Sequence, residues 1–365
     1  MSKIIITILA FIVVVGSAVV WGFQKSGSRR DNRLFYVANK DGYYGLYERR
    51  GRSETTIFDS GDILQAYPNL ARYHISYDVS RDARYTAYSA INVLGDADIF
   101  LYDSEDGTTR NLTSDTHTDT YPVFSRSGDL IAYLSHEKSG RRYDEIFLIR
   151  PDGSERQRLT NLFLRISSLS FSPDDRAILF AKHLGDRSSI ALLDIETGEV
   201  TELTKPFCLN TSPSFNSSGD KIVFISDCHG SPDVWIMNRD GTGKKPLYKG
   251  SGEELDALFL KGDDTVAFIS VSDEPENGIS RVFSLLSVDV DGMGVQNLMP
   301  EKYRNRQLFM THLQRLQSQN HVYFQARLLT DRPQPRYVVF ILDPETHKAR
   351  QVAIRGVDIL DPVLR

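Results

Sequence analysis

Little in this sequence advertises chemistry. Its 365 residues hold two cysteines, too few for a disulfide framework or a four-thiolate metal site. No GxSxG, HExxH, CxxC or complete calcium-loop pattern occurs, so the common nucleophile and metal signatures are missing. Positive charge is not in excess either: 43 lysines and arginines face 48 acids, a net charge of −5. Four of those cations, Lys3, Lys25, Arg29 and Arg30, lie in the first 30 residues, where there is no acid. The body is therefore more acidic than the whole and repels phosphate backbones, which excludes nucleic acid as a partner. Low-complexity tracts are absent, and 41% hydrophobic residues over this length suffice for a full core, which excludes disorder and collagen-like structure.

What is present begins with an apolar run over residues 4–23, long enough at about 1.5 Å per residue to cross a hydrocarbon core. Residues 1–28 are expected to form a transmembrane anchor with its linker, or a cleaved signal peptide in which Lys3 is the charged start and Gly16-Ser17-Ala18 the cleavage site. Lys25, Arg29 and Arg30 outweigh Lys3, so charge alone would hold the body in the cytoplasm.

Beyond this segment helical periodicity is missing and a repeat takes over. Six stretches align without a gap: 76–90 (SYDVSRDARYTAYSA), 121–135 (YPVFSRSGDLIAYLS), 168–182 (SLSFSPDDRAILFAK), 212–226 (SPSFNSSGDKIVFIS), 256–270 (DALFLKGDDTVAFIS) and 312–326 (HLQRLQSQNHVYFQA). Each reads as an apolar run, a Gly/Asp/Asn/Ser turn, and a second run centred on Tyr88, Tyr133, Phe180, Phe224, Phe268 or Phe324. That is a strand, a tight turn and a strand. A third run follows, as in Asp98-Ile-Phe-Leu-Tyr102 and Asp233-Val-Trp-Ile-Met237, then a turn such as Asp106-Gly107 or Asp240-Gly241 and a short fourth strand. Four antiparallel strands in a unit of about 45 residues make a propeller blade. The chain ends complement each other: 361–365 (DPVLR) supplies the first third of a repeat, and 29–38 (RRDNRLFYVA) supplies the rest, with Tyr36 at the aromatic position. The expected fold is all-β: residues 29–365 as a seven-bladed β-propeller of four-stranded blades, closed by one blade shared between the ends, because closure removes open sheet edges.

Residues 212–246 (SPSFNSSGDKIVFISDCHGSPDVWIMNRDGTGKKP) closely resemble the WD-like propeller repeats of TolB-type proteins, and the likeness extends over 31–365. The resemblance implies an extracytoplasmic bacterial setting and a binding role, against the reading of the flanking charges. TolB carries an additional α/β domain ahead of its propeller, whereas here only the apolar segment and linker precede it, so its partnership with the peptidoglycan-associated lipoprotein does not carry over.

In a propeller the loops joining strands two and three, and those joining strand four to the next blade, share one face. The expected binding face is there: Arg141, Arg142 and Tyr143, with Tyr303, Arg304, Arg306, Arg332 and Arg336 from the long stretches 300–311 and 327–336, are the residue types that anchor interfaces. The same face gathers His74, His117, His136, His183, His229 and His312, which could hold zinc, manganese or iron with Asp119, Asp227 or Glu137. Oligogalacturonate lyases, similar in repeat type, use a histidine-held metal, and this gives the alternative of a metal-dependent lyase or hydrolase acting on polysaccharide. Against it, polar loops carry histidines anyway and an acidic body repels a polyanion. Cys208 and Cys228 fall on that face too and could bridge, or could stand as two small buried residues. Gly241-Thr-Gly-Lys-Lys245 and Asp289-Val-Asp291-Gly292 read as hairpin turns. The composite expectation is a membrane-tethered or exported, non-enzymatic scaffold at the cell envelope, with no cofactor and with a protein partner, or a glycan in its place.

Overall fold

The computed structural model describes residues 14–15, 18–19, 33–40, 43–50, 53–59, 76–82, 84–91, 96–137, 143–274, 279–304, 308–310, 313–315, 322–328, 336–342 and 349–352. Among them Val14–Val15 and Ala18–Val19 pair as a two-residue antiparallel ladder; the rest of the apolar run lies outside the described residues. No described helix is long and apolar enough to cross a membrane.

Seven antiparallel sheets then follow one another among the described residues. We number them one to seven: 33–59, 77–111, 117–158, 165–202, 210–248, 253–297 and 308–352. Sheets two to six have four strands each in sequence order, the simplest meander, because every connection is a local turn. Sheet one shows three, Arg33–Lys40, Tyr43–Arg50 and Ser53–Asp59. The strand expected from 361–365 would lie at its first edge, outside the described residues. In sheet seven the first strand is split into Leu308–Met310 and Gln314–Arg315, both paired with Val322–Leu328. Among the described residues one helical turn, Glu301–Arg304, interrupts the strands where the sequence had suggested an open loop.

The sheets pack face to face in chain order, and the sequence of each second strand explains how. Ile131 and Tyr133 pack with Ala87 and Leu101 of sheet two, while the intervening Ala132 and Leu134 pack with Ile178 and Phe180 of sheet four. Leu179 turns the other way, onto Ile222 and Phe224 of sheet five, and Val223 and Ile225 meet Val266 and Phe268 of sheet six. Both faces of these second strands in sheets three to five are thus covered, so they are apolar without alternation. The repeat aromatics Tyr88, Tyr133, Phe180, Phe224 and Phe268 are all buried, each contributing about 2–3 kcal/mol of transfer free energy.

Two recurrent backbone features trim the repeat. The first strand bulges at the opening residue of the 15-residue stretch, where Tyr121, Ser168, Ser212 and Asp256 all have positive φ. These openings also link neighbours: Ser76 Oγ accepts the Tyr121 N–H at 2.8 Å, and Asp256 accepts from Ser212 Oγ and the Leu313 N–H. In the turn after strand one a left-handed residue is required; sheets three and five use Gly128 and Gly219 (φ 83° and 78°), sheets four and six Asp175 and Asp263 (58° and 64°). The aspartates offset their backbone cost by capping the adjacent turn, Asp175 accepting the Arg126 and Ser127 N–H groups and Asp263 that of Ser217.

Candidate functional site

Strand one of each sheet starts opposite the end of strand two, as in Arg165↔His183 and Asn210↔Ser226, so the two kinds of loop do share one edge. On this loop edge, in sheets three to five, large apolar side chains stand in water: Phe163 (57% exposed), Leu184 (59%), Phe207 (71%) and Leu209. They flank sheet four: Phe163 precedes its first strand, Leu184 ends its second, and Phe207 and Leu209 follow its fourth. The edge of the Phe163 ring meets Tyr143, 6.1 Å between centroids. Arg165 pairs with His183, which sets Phe163 beside the Leu184–Arg187 hairpin pair, and the Ser188 N–H donates to Cys208 O at 3.0 Å, which sets Phe207 and Leu209 on the far side.

Both ends of this set are held from below. Phe163 has φ 53°, unfavourable for a residue with a Cβ, and Glu145 enforces it. That buried carboxylate accepts the Leu162 and Phe163 N–H groups at 3.0 Å each and the Thr160 hydroxyl at 2.6 Å, with Arg158 at 3.2 Å. At the other end Cys208 and Cys228 form a disulfide. Asp227 accepts the Leu209 N–H at 2.7 Å, and Asn210 donates its side-chain amide to Ser188 O at 2.7 Å.

The residues expected at this face divide. Tyr143 is on this edge, half-buried against Phe163. Tyr303 is buried in the core with Leu298, Met310 and Leu313, because the helical turn folds its ring inward; it is not part of the face. Arg304 is exposed, but its guanidinium serves Met299 O at 2.9 Å and Asn297 O at 3.3 Å. Arg141, Arg142, Arg306 and Arg332 lie outside the described residues, and Arg336 is placed by its backbone alone, in the strand Arg336–Leu342. Of the histidines, His74 and His312 lie outside as well. The other four have local partners: His117 is 3.3 Å from Asp115, His136 3.4 Å from Asp144, His183 hydrogen-bonds Ser167 at 2.7 Å, and His229 packs on Trp235. Burial, reinforced by Arg165, holds the His183 pKa below the usual imidazole value.

Among the described residues the one set with metal-ligand spacing is Asp98, Asp115 and Asp119, with carboxylate oxygens within 4.8 Å of one another and no histidine. Arg156, 2.6 Å from Asp115 and 3.6 Å from Asp119, supplies positive charge there. Burial raises the Asp119 pKa to about 6. Glu254 occupies the corresponding place in sheet six, fully buried near Asp233, and burial raises its pKa to about 7. The two suspected loops are turns: Gly241 and Gly243 have positive φ with Asn238 N–H donating to Thr242 O, and Asp289 N–H donates to Met293 O over Gly292.

Four-stranded antiparallel meanders that stack face to face are the architecture of propeller blades. Residues 143–299 match the family model described as the TolB beta propeller domain. It is 27% identical over 139 residues (37% of the chain, 30% of the relative) to the Tol-Pal system protein TolB of Nitratidesulfovibrio vulgaris. With the protein TolB homolog of Chlorobium chlorochromatii it shares 30% over 143 residues (39% and 31%). The chain therefore spans less than a third of the length of either relative. An oligogalacturonate lyase from Vibrio parahaemolyticus shares the fold, with a TM-score of 0.57 at 12% identity over 75% of each chain.

Proposed function

We propose that this protein is a membrane-tethered or exported, non-enzymatic propeller of seven blades, closed by the complementary residues 29–38 and 361–365, that binds a protein partner at the cell envelope through its loop edge. The observation that carries the reading is Phe163, an exposed ring held at positive φ by a buried carboxylate, with Leu184 and Phe207 exposed on the same loop edge. Exposed aromatic and aliphatic anchors on a rigid frame give affinity, because little ordering entropy remains to be lost on binding. Relatives named for the Tol-Pal system and TolB support an envelope setting, as does a disulfide, which persists in oxidising compartments. An amino-terminal tether would raise the effective concentration near the partner.

The test is affinity capture from envelope extract with the full chain and its Phe163→Ser/Phe207→Ser variant, read by quantitative mass spectrometry beside elemental analysis of the bait. The scaffold predicts a saturable partner that the variant loses while both unfold at the same temperature. Stoichiometric metal and no partner would replace it with the histidine-metal enzyme.

A further inference from the structure

The Cys208–Cys228 disulfide sits where the stacked sheets do not need it. Leu203 and Phe215, on either side of Cys208 in sequence, are buried with Leu179, Ile222 and Phe224, and this core joins sheets four and five. Between the two anchors the chain rises to the loop edge, where Phe207 stands in water. The bridge ties that segment to the turn after the second strand of sheet five, where Cys228 and His229 are exposed while Cys208 is half-buried. Hydrogen bonds support it: the Leu209 N–H donates to Asp227 Oδ1 at 2.7 Å, the Asp227 N–H to Leu209 O at 3.2 Å, and the Ser188 N–H to Cys208 O at 3.0 Å. Hydrogen bonds at a wetted rim compete with water, so the covalent bond dominates the hold on residues 205–209.

What a disulfide does follows from where its sulfurs lie. A bridge enclosed by the fold is a staple, whereas one with an exposed half admits an attacking thiolate, and exposed bridges are the labile and regulatory ones. Cys228 offers that half, and the approach is open, because a Cβ placed on the nearby Gly230 would meet nothing within 4 Å. Opening the bridge leaves Leu203 and Phe215 in their core, so the change stays at the loop edge. Resting on the scaffold reading, we propose that Cys208–Cys228 is a reversible redox latch on the binding edge, closed by oxidation to hold Phe207 in place for the partner and opened by a dithiol reductant. A thiolate of that reductant attacks Cys228 Sγ, the S–S bond breaks, and Cys208 Sγ leaves with the electron pair and takes a proton. The second thiolate of the reductant then displaces Cys228 from the mixed disulfide. Two electrons and two protons pass to the chain, and the reductant departs as a disulfide.

The experiment treats the folded full chain with excess reduced thioredoxin in native buffer. Maleimide labelling of Cys208 and Cys228 reads the thiols, circular dichroism the melt, and chymotrypsin the cleavage after Phe207. Both cysteines should label without denaturant, one cooperative melt should remain, and cleavage after Phe207 should speed up about tenfold or more while cleavage elsewhere is unchanged. Reoxidation should reverse the labelling and the cleavage. Labelling only after the chain unfolds would make the bridge a staple and overturn the proposal, as would unchanged cleavage after Phe207 or loss of the cooperative melt. Cys208→Ser/Cys228→Ser should be cleaved like the reduced chain and ignore thioredoxin, and the reduced parent carries the test without relying on the folding of that variant. Capture from envelope extract separates the two readings. A partner held by the oxidised chain, released on reduction and regained on reoxidation supports the latch. A partner kept on reduction overturns the latch, and the scaffold then stands or falls on whether Phe163→Ser/Phe207→Ser loses it; no partner for the oxidised chain overturns the scaffold reading and the latch with it.

Discussion

Glu254 gives the sharpest test of the packing. It is fully buried between sheets five and six, its Oε1 accepts the Ser270 hydroxyl at 3.2 Å, and Asp233 lies near enough to add a second negative charge. Burial first, and that neighbour in addition, raise its pKa from 4.5 to about 7. The folded state therefore holds a proton that the unfolded chain has already released between these values, and stability falls as pH rises through that window. A shift of about 2.5 units corresponds to about 3 kcal/mol when fully expressed above pH 7, with relaxation reducing it to about 1–3 kcal/mol. Glu254→Gln keeps the shape and the acceptor while removing the ionisation. At pH 8 the variant should melt higher than the parent, by about 2–4 °C for each kcal/mol at most. At pH 4.5, where both carry a neutral group, the two should coincide. Thermal unfolding followed by circular dichroism at the two pH values is the assay. An equal difference at both pH values, or a variant less stable at pH 8, would refute the account of this carboxyl as an ionisable group desolvated by sheet stacking.

Three further outcomes follow from the same reasoning. Glu145→Gln replaces a charged acceptor that holds two N–H groups and a hydroxyl; it should cost about 2 kcal/mol and speed amide exchange at Leu162 and Phe163 more than elsewhere, and uniform exchange would mean that Glu145 does not hold the loop. Cys208→Ser/Cys228→Ser opens a 20-residue loop and should cost about 3 kcal/mol, measured by urea unfolding under oxidising conditions; an unchanged midpoint would show the bridge to be unformed. Deleting residues 361–365 should lower the melting temperature by exposing the first edge of sheet one, and an unaffected melt would remove the shared blade.

The sequence by itself determined the elements and their stacking order. A 15-residue pattern of strand, left-handed turn and strand is local chemistry: apolar runs make strands, while Gly128, Gly219, Asp175 and Asp263 accept the turn conformation, and unalternated runs require cover on both faces. It also brought Cys208 and Cys228 to one edge, because their offsets from the repeat are fixed. The tertiary structure alone decided which loop residues face water. Tyr303 has the chemistry of an interface anchor, yet one turn of helix folds it into the core. Phe163 and Phe207 have the chemistry of core residues, yet Glu145 and the disulfide hold them outward. Their signal was faintly present as bulky apolar residues in otherwise polar loops, Asn161-Leu-Phe-Leu164 and Lys205-Pro-Phe-Cys-Leu209, but one residue cannot tell burial from display. Exposure of a loop side chain is set by backbone angles and by hydrogen bonds from another strand. Residues separated by 44 positions become neighbours only when the sheets that carry them stack.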